Sequence, residues 1–244
     1  MPPVLRAALW MLGTLTSLAL MAIAGRELSA ELSTLQILFF RSAIGLVIIL
    51  AVIWRVGRHH LTTLQPGLQV LRNVAHYIGQ FGWFYGISLL PLAQVFALEF
   101  TMPVWATLLA PLLLKEQITP RRALVVVIGF VGILIVVRPG LVTISPAALA
   151  VLMAAVGYAF AYTLTKKLTR TDTALAIVFY MCLVQLPLGL IPSLFDWVNP
   201  SAAMWPWILA VSVTGLSAHY SLARAFAEAD AIVVVPMEFL RLPL

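Results

Sequence analysis

The sequence predicts an all-α membrane protein: a polytopic helical bundle built as an inverted repeat of two five-helix units, the second incomplete. Three observations predict it. The composition is too apolar for a soluble domain, apolar runs of bilayer-spanning length follow one another along the chain, and one constant offset lays the second half on the first.

Of the 244 residues, 62% are hydrophobic and 10% charged, and the mean hydropathy is +1.04. Soluble domains are about half apolar and about a quarter charged. The net charge of +6 does not indicate a nucleic-acid partner, because the basic residues sit in loops between apolar runs and form no continuous stripe. Cys182 is the single cysteine, so neither a disulfide framework nor a thiolate metal site is available, and a packing role is expected for it. Met1 to Ala24 has one arginine ahead of an apolar run, as a signal peptide does, but the run is about 20 residues long and lacks a clear small-residue cleavage site. It reads as a retained first helix.

A bilayer core about 30 Å thick takes about 20 residues per helix. Runs of this kind fall at Leu5 to Ala24, Leu35 to Trp54, Leu68 to Leu89, Leu92 to Leu114, Ala123 to Val137, Pro146 to Thr165, Ala174 to Phe195, Met204 to Ala227 and from Ala231 onward, which makes eight spans and a truncated ninth. Breakers separate them: Leu90-Pro91, Thr119-Pro120, Arg138-Pro139-Gly140 and Asn199-Pro200. With a cytoplasmic amino terminus, one face collects Arg6, Arg55, Arg58, Arg72, Lys115, Arg121, Arg122, Lys166, Lys167, Arg170 and Arg224. The other keeps only Arg26, Arg41 and Arg138. This bias sets the expected orientation in a bacterial inner membrane.

A shift of 139 to 140 residues brings Leu28-Ser29 onto Leu168-Thr169, Phe39-Phe40 onto Phe179-Tyr180 and Glu99-Phe100 onto Glu238-Phe239. Five spans per unit is an odd number, so the second unit enters from the opposite side, the inverted-topology arrangement of many secondary transporters. The units are residues 1–140 and 141–244. Projecting Arg138 by the offset passes Leu244 by about 33 residues, so the second unit is expected to be truncated in its ninth helix.

Three stretches resemble the drug/metabolite transporter superfamily, specifically its ten-helix members with two EamA domains. Phe84-Tyr85-Gly86-Ile87-Ser88-Leu89-Leu90-Pro91-Leu92-Ala93 is similar to the hairpin between helices 3 and 4 of that family. Leu112-Leu113-Leu114-Lys115-Glu116 is similar to its acidic helix 4 end, and Gly129 to Gly140 to its glycine-bearing helix 5 and exit. The resemblance implies a secondary carrier for a small metabolite, such as an amino acid or related compound. It does not choose among metabolite exporters, nucleotide-sugar carriers and drug pumps.

Polar side chains at membrane depth are costly and face a cavity or a partner helix. Glu99 and its repeat mate Glu238 are candidate substrate- or proton-binding carboxylates; the alternatives are an interhelical hydrogen bond or snorkelling for Glu99, and an ion pair with Arg241 for Glu238. On helix 3, Asn73, His76, Gln80 and Trp83 share one face. Gln80 and Trp83 are candidates for substrate contact, while His76 is a coupling candidate or an interhelical hydrogen-bond donor. His219 falls on Gln80 under the offset, which suggests opposite walls of one cavity. Tyr158 can stack on a flat substrate or simply pack, and Tyr162 one turn on is a supporting position. Arg41 is a substrate-carboxylate partner or an outer-interface anchor. Gly82 and Gly86, and Gly157 with Ala161, permit close helix approach. Trp10, Trp54, Trp197, Trp205 and Trp207 read as an interfacial belt, and Glu116 as a helix-end charge.

The partners expected are the lipid bilayer, a small-molecule metabolite and, as a candidate, a second copy of the chain. No cofactor, metal site or catalytic residue is expected, because the sequence lacks HExxH, an Asp-rich pair and a phosphate-cradling glycine loop with lysine. A non-transporting scaffold or assembly partner, or a fragment, is the alternative to a carrier, and an intramembrane enzyme is a third class.

Overall fold

The computed structural model describes residues 1–114 and 145–241, together with residues 120, 124, 127, 128 and 131. Predicted helix 5 (Ala123 to Val137), its exit segment and the charged pair Lys115-Glu116 lie largely or wholly outside the described residues. The described helices are α1 Pro3–Leu28, α2 Thr34–Val56, α3 Pro66–Leu89, α4 Leu92–Glu99, α5 Met102–Leu114, α6 Pro146–Leu168, α7 Ala174–Ser193, α8 Trp205–Glu228 and α9 Ala231–Val234, the last running into a 3-10 turn over Val235–Arg241. Side-chain oxygens mark several starts: Ser33, Ser145 and Thr173 accept from the backbone N–H groups of Gln36, Ala148 and Ala176. Each satisfies a donor that the helix itself leaves unpaired.

Among the described residues, five segments are long and apolar enough to cross a membrane: Pro3–Leu28, Thr34–Val56, Leu92–Leu109, Pro146–Leu168 and Ala174–Ser193. The sequence reading also counted α3 and α8. Each has 24 residues but is more polar, and the structure shows where the polarity goes. On α3, Arg72, Asn73, His76 and Gln80 are buried while Ile78 and Phe81 are exposed; on α8, Ser212 and His219 are buried while Leu209 and Val213 are exposed. Both helices turn apolar side chains outward and polar ones inward, and apolar helices pack around them.

The packing follows the repeat. Helix α1 lies chiefly against α8, α3 against α6 and α2 against α7. Exchanging the units swaps the first two pairings and returns the third to itself. Three pairs of element starts obey the same offset, with Thr34 and Ala174 140 apart, and Pro66 and Trp205 as well as Leu92 and Ala231 139 apart, while the first pair matches at its ends, Leu28 and Leu168, 140 apart. Every pair is antiparallel. Ser17 donates to Ser217 and Thr14 to the Ala218 carbonyl across α1 and α8, Arg72 reaches Thr165 across α3 and α6, and Gly45 meets Cys182 and Gly189 meets Phe39 across α2 and α7. Antiparallel packing of α2 on its repeat mate α7, with the α1–α8 and α3–α6 pairs exchanged by the repeat, is what opposite membrane entry requires.

Each end of the bundle is closed by polar contacts between loops. At one end Glu31 accepts from the Ser201 N–H and hydroxyl, and Gln36 donates to the Val198 carbonyl. At the other, Asp172 accepts from Thr63 and, at 2.8 Å, from Gln69 Nε2, while Gln65 donates to Thr171 and Tyr180 to the Leu61 carbonyl. That second end also gathers Arg6, paired with Glu228, and Lys166, paired with Asp230. Asp172 is 8% exposed, so truncating it leaves the buried Gln69 amide without an acceptor. Asp172→Ala is expected to lower stability by about 1–3 kcal/mol, read as a drop in Tm of the purified protein, whereas Ala at the exposed Asp196 leaves Tm unchanged.

Candidate functional site

The fourth predicted span, Leu92 to Leu114, is not one helix. It breaks after Glu99, and α5 starts at Met102. Pro103 explains the position: it has no N–H to donate to the Glu99 carbonyl, and its ring collides with that carbonyl in a continuous helix. In the second unit Pro236 similarly follows α9, and the chain passes Glu238 as a 3-10 turn. Both repeat-related carboxylates therefore sit at interruptions of a helix. Glu99 is 7% and Glu238 3% exposed, which removes the snorkelling alternative for Glu99. Each accepts a hydrogen bond from an aromatic donor of its own unit: Trp83 Nε1 donates to Glu99 Oε2 at 2.8 Å, and the Tyr162 hydroxyl to Glu238 Oε1 at 3.4 Å. The side chain of Arg241, the alternative partner of Glu238, lies outside the described residues.

Leu18, Met21, Trp83, Glu99, Tyr158, Tyr162 and His219 line a small internal cavity of about 10 Å³. That is room for about one water molecule, so this conformation is contracted around the site. Close approach of α3 and α6 brings Trp83 and Tyr158 to the same cavity. A Cβ on Gly82 would collide with the Ala150 carbonyl, and one on Gly86 with the Val151 side chain, while Gly157 would meet the Ala75 carbonyl at 3.0 Å.

Beside the cavity lies a buried basic layer. The His76 and His219 rings meet edge to face with centroids 4.4 Å apart, and His76 is 5.6 Å from the Tyr158 ring. Gln185 Nε2 lies 3.3 Å from the Asn73 carbonyl and 2.8 Å from His76 Nδ1. An amide nitrogen that already donates to a carbonyl makes His76 Nδ1 an acceptor, which leaves the ring proton on Nε2. His76 thus accepts across the α3–α7 contact, where the sequence reading had it donating. Arg72 and Asn73 are buried, not interfacial: Arg72 Nε donates to Thr165 and Nη1 to Asn73, and Asn73 donates to the Gln69 carbonyl. Arg41 is 3% exposed, against the interfacial-anchor alternative, and its guanidinium lies on Gly215, one turn before His219.

Of the sequence candidates, Trp83, Glu99, Tyr158, His219 and Tyr162 meet at the cavity. Glu238 joins through Tyr162. Gln80 is 1% exposed with both amide atoms unpaired but does not line the cavity, and Arg41 and His76 flank it through His219. Tyr220, next to His219, turns away to Trp10 and Arg224. Sequence reading missed Leu18 and Met21, apolar residues in an apolar helix that carry no signal. It also missed Gln185, whose lone amide within an apolar run was a readable cue.

The EamA-like transporter family model matches residues 5–138. An S-adenosylmethionine uptake transporter of Rickettsia prowazekii is 25% identical over 96% of this chain and 79% of its own length. A riboflavin transporter of Vibrio cholerae is 30% identical over 98% and 82%, and a pseudopaline exporter of Pseudomonas aeruginosa 30% identical over 88% and 76%. A solved crystal structure superposes with a TM-score of 0.68 at 17% identity, covering 98% of this chain and 83% of the other, and shares its fold. The family match spans more than half of the chain and the relatives nearly all of it, so this protein belongs to the EamA-like transporter family of the drug/metabolite transporter superfamily, a family of multi-pass small-molecule transporters and not of enzymes.

Proposed function

We propose that the chain, with units 1–140 and 141–244, carries a small organic metabolite across the bacterial inner membrane by alternating access, its amino terminus cytoplasmic and a proton on Glu99 coupled to movement. One observation supports this above the others. The cavity joins carboxylate, imidazole and aromatic side chains from both units at the point where a spanning helix breaks. Interrupted helices with substrate and coupling-ion groups at the unit interface are the usual architecture of inverted-repeat carriers.

The walls formed by Trp83, Tyr158 and Tyr162 suit a flat ring, and the relatives' names put riboflavin and S-adenosylmethionine first among trial substrates, ahead of free amino acids. Proteoliposomes preloaded with unlabelled compound are expected to accumulate the labelled form by counterflow, and Trp83→Ala to reduce accumulation to background. Failure with these two compounds removes them as substrates. Failure across a broad metabolite panel removes the carrier reading and leaves the scaffold alternative.

A further inference from the structure

The carrier reading leaves one buried charge unused. Arg41 sits two turns into α2, 3% exposed, and makes no ion pair with a carboxylate among the described residues. Its Nε and Nη2 have no hydrogen-bond partner. These two N–H groups lie on one edge of the guanidinium and point in parallel, the fork that takes both oxygens of a carboxylate. A dry, unpaired guanidinium is strongly unfavourable, and a cation at membrane depth marks a functional position. The same edge rests on Gly215: a Cβ there would stand 2.5 Å from Nε and 3.1 Å from Nη2. The missing side chain lets the guanidinium lie directly against the α8 backbone, and any substituent there presses on the fork.

The neighbours also carry polar atoms without partners, His76 Nε2–H and the Gln80 amide N–H among them as donors. His76 Nε2, which carries the ring proton, is unpaired, as are His219 Nδ1 and both amide atoms of Gln80. His219 lines the cavity and stands one turn from Gly215 on the same face of α8. Arg41 lies within electrostatic range of Tyr158, His76 and His219, and Arg72 within range of both histidines. Burial on this scale keeps lipid headgroups away, so the oxyanion must arrive through the cavity.

We infer that the Arg41 fork, supported by His76 and His219, is the subsite for a carboxylate carried by the substrate. The substrate class is therefore organic acids and zwitterions, which among the two trial compounds admits S-adenosylmethionine and excludes riboflavin; the carboxylate seats at Arg41 while the rest of the molecule lies toward Glu99 and the aromatic walls. The inference rests on the carrier reading for the route by which substrate reaches Arg41, but not for binding itself.

The test is equilibrium binding, followed as ligand-dependent Tm of the full chain in lipid nanodiscs at constant ionic strength. The probes are monocarboxylates from acetate to phenylacetate, each paired with its own primary amide. Acids are expected to bind at least about tenfold more tightly than their amides. Arg41→Gln weakens the acids by about thirtyfold or more and leaves the amides unchanged, the loss expected on truncating one partner of a buried charge pair. Arg41→Lys recovers only part, having charge without the fork. Gly215→Ala keeps the charge but puts a methyl group against the fork and also weakens the acids, so the inference stays testable if Arg41→Gln does not fold. Equal binding of acids and amides, no binding of either, or undiminished acid preference in these variants overturns the subsite. Counterflow without acid preference overturns it and spares the carrier reading; acid preference without counterflow does the reverse.

Discussion

Valine in place of Gly82 is expected to remove a large share of the stability margin of the bundle. The Cβ position at Gly82 already coincides with the Ala150 backbone carbonyl, and backbone cannot rotate aside as a side-chain tip can. Helix α3 would have to retreat from α6 along a contact that also includes Gly79, Gly86 and Gly157. Overpacking of this kind costs about 3 kcal/mol, a large share of the roughly 5–15 kcal/mol that holds a protein folded. Thermal unfolding followed by size-exclusion should show the monodisperse peak lost at much lower temperature than in the parent. Gly67, at the start of the same helix, has nothing within 4 Å of its Cβ position, and Gly67→Val should behave as the parent. Equal loss from both would mean that valine damages α3 without regard to its contact with α6.

Glu99→Gln is expected to abolish uptake driven by a pH gradient while counterflow at equal pH persists. The substitution preserves size and leaves an oxygen to accept from Trp83 Nε1, so the cavity wall stands, but the position can no longer take up and release a proton. Trp83→Phe supplies the contrast: it removes the indole donor, keeps a ring in the wall and should leave gradient dependence in place with weaker apparent affinity. Undiminished pH-driven uptake by Glu99→Gln would show that Glu99 does not carry the proton.

Legibility differed between fold and site for physical reasons. Hydropathy and breakers placed α1, α2, α6 and α7 to within a few residues, because lipid demands a long apolar helix and little else. The offset was equally readable, and it anticipated both the matching element starts and the antiparallel pairings. The interruption after Glu99 was missed although Pro103 was in plain view, since the window that finds a span averages over the residue that breaks it. At the site, Trp83, Glu99, Tyr158 and His219 were found as polar or aromatic exceptions in apolar runs. Arg41 was left between a substrate-carboxylate partner and an interface anchor because its position near the start of α2 suits an anchor, and its burial against Gly215 comes from α8, far away in sequence. Leu18 and Met21 differ in nothing from their neighbours on α1 until the bundle is assembled.

The two closed ends carry a thermodynamic consequence. Their contacts are hydrogen bonds among loop and helix-end residues, among them Glu31 with Ser201 and Asp172 with Thr63 and Gln69, and water can replace most of what is lost when an end parts. Each such exchange is worth only about 0.5–1.5 kcal/mol net. On the alternating-access reading proposed above, a handful of them would make a latch weak enough for substrate binding to release. Weakening it at either rim would favour the conformer open on that face, so that residues at the rims, far from the cavity, would set which side of the membrane it meets.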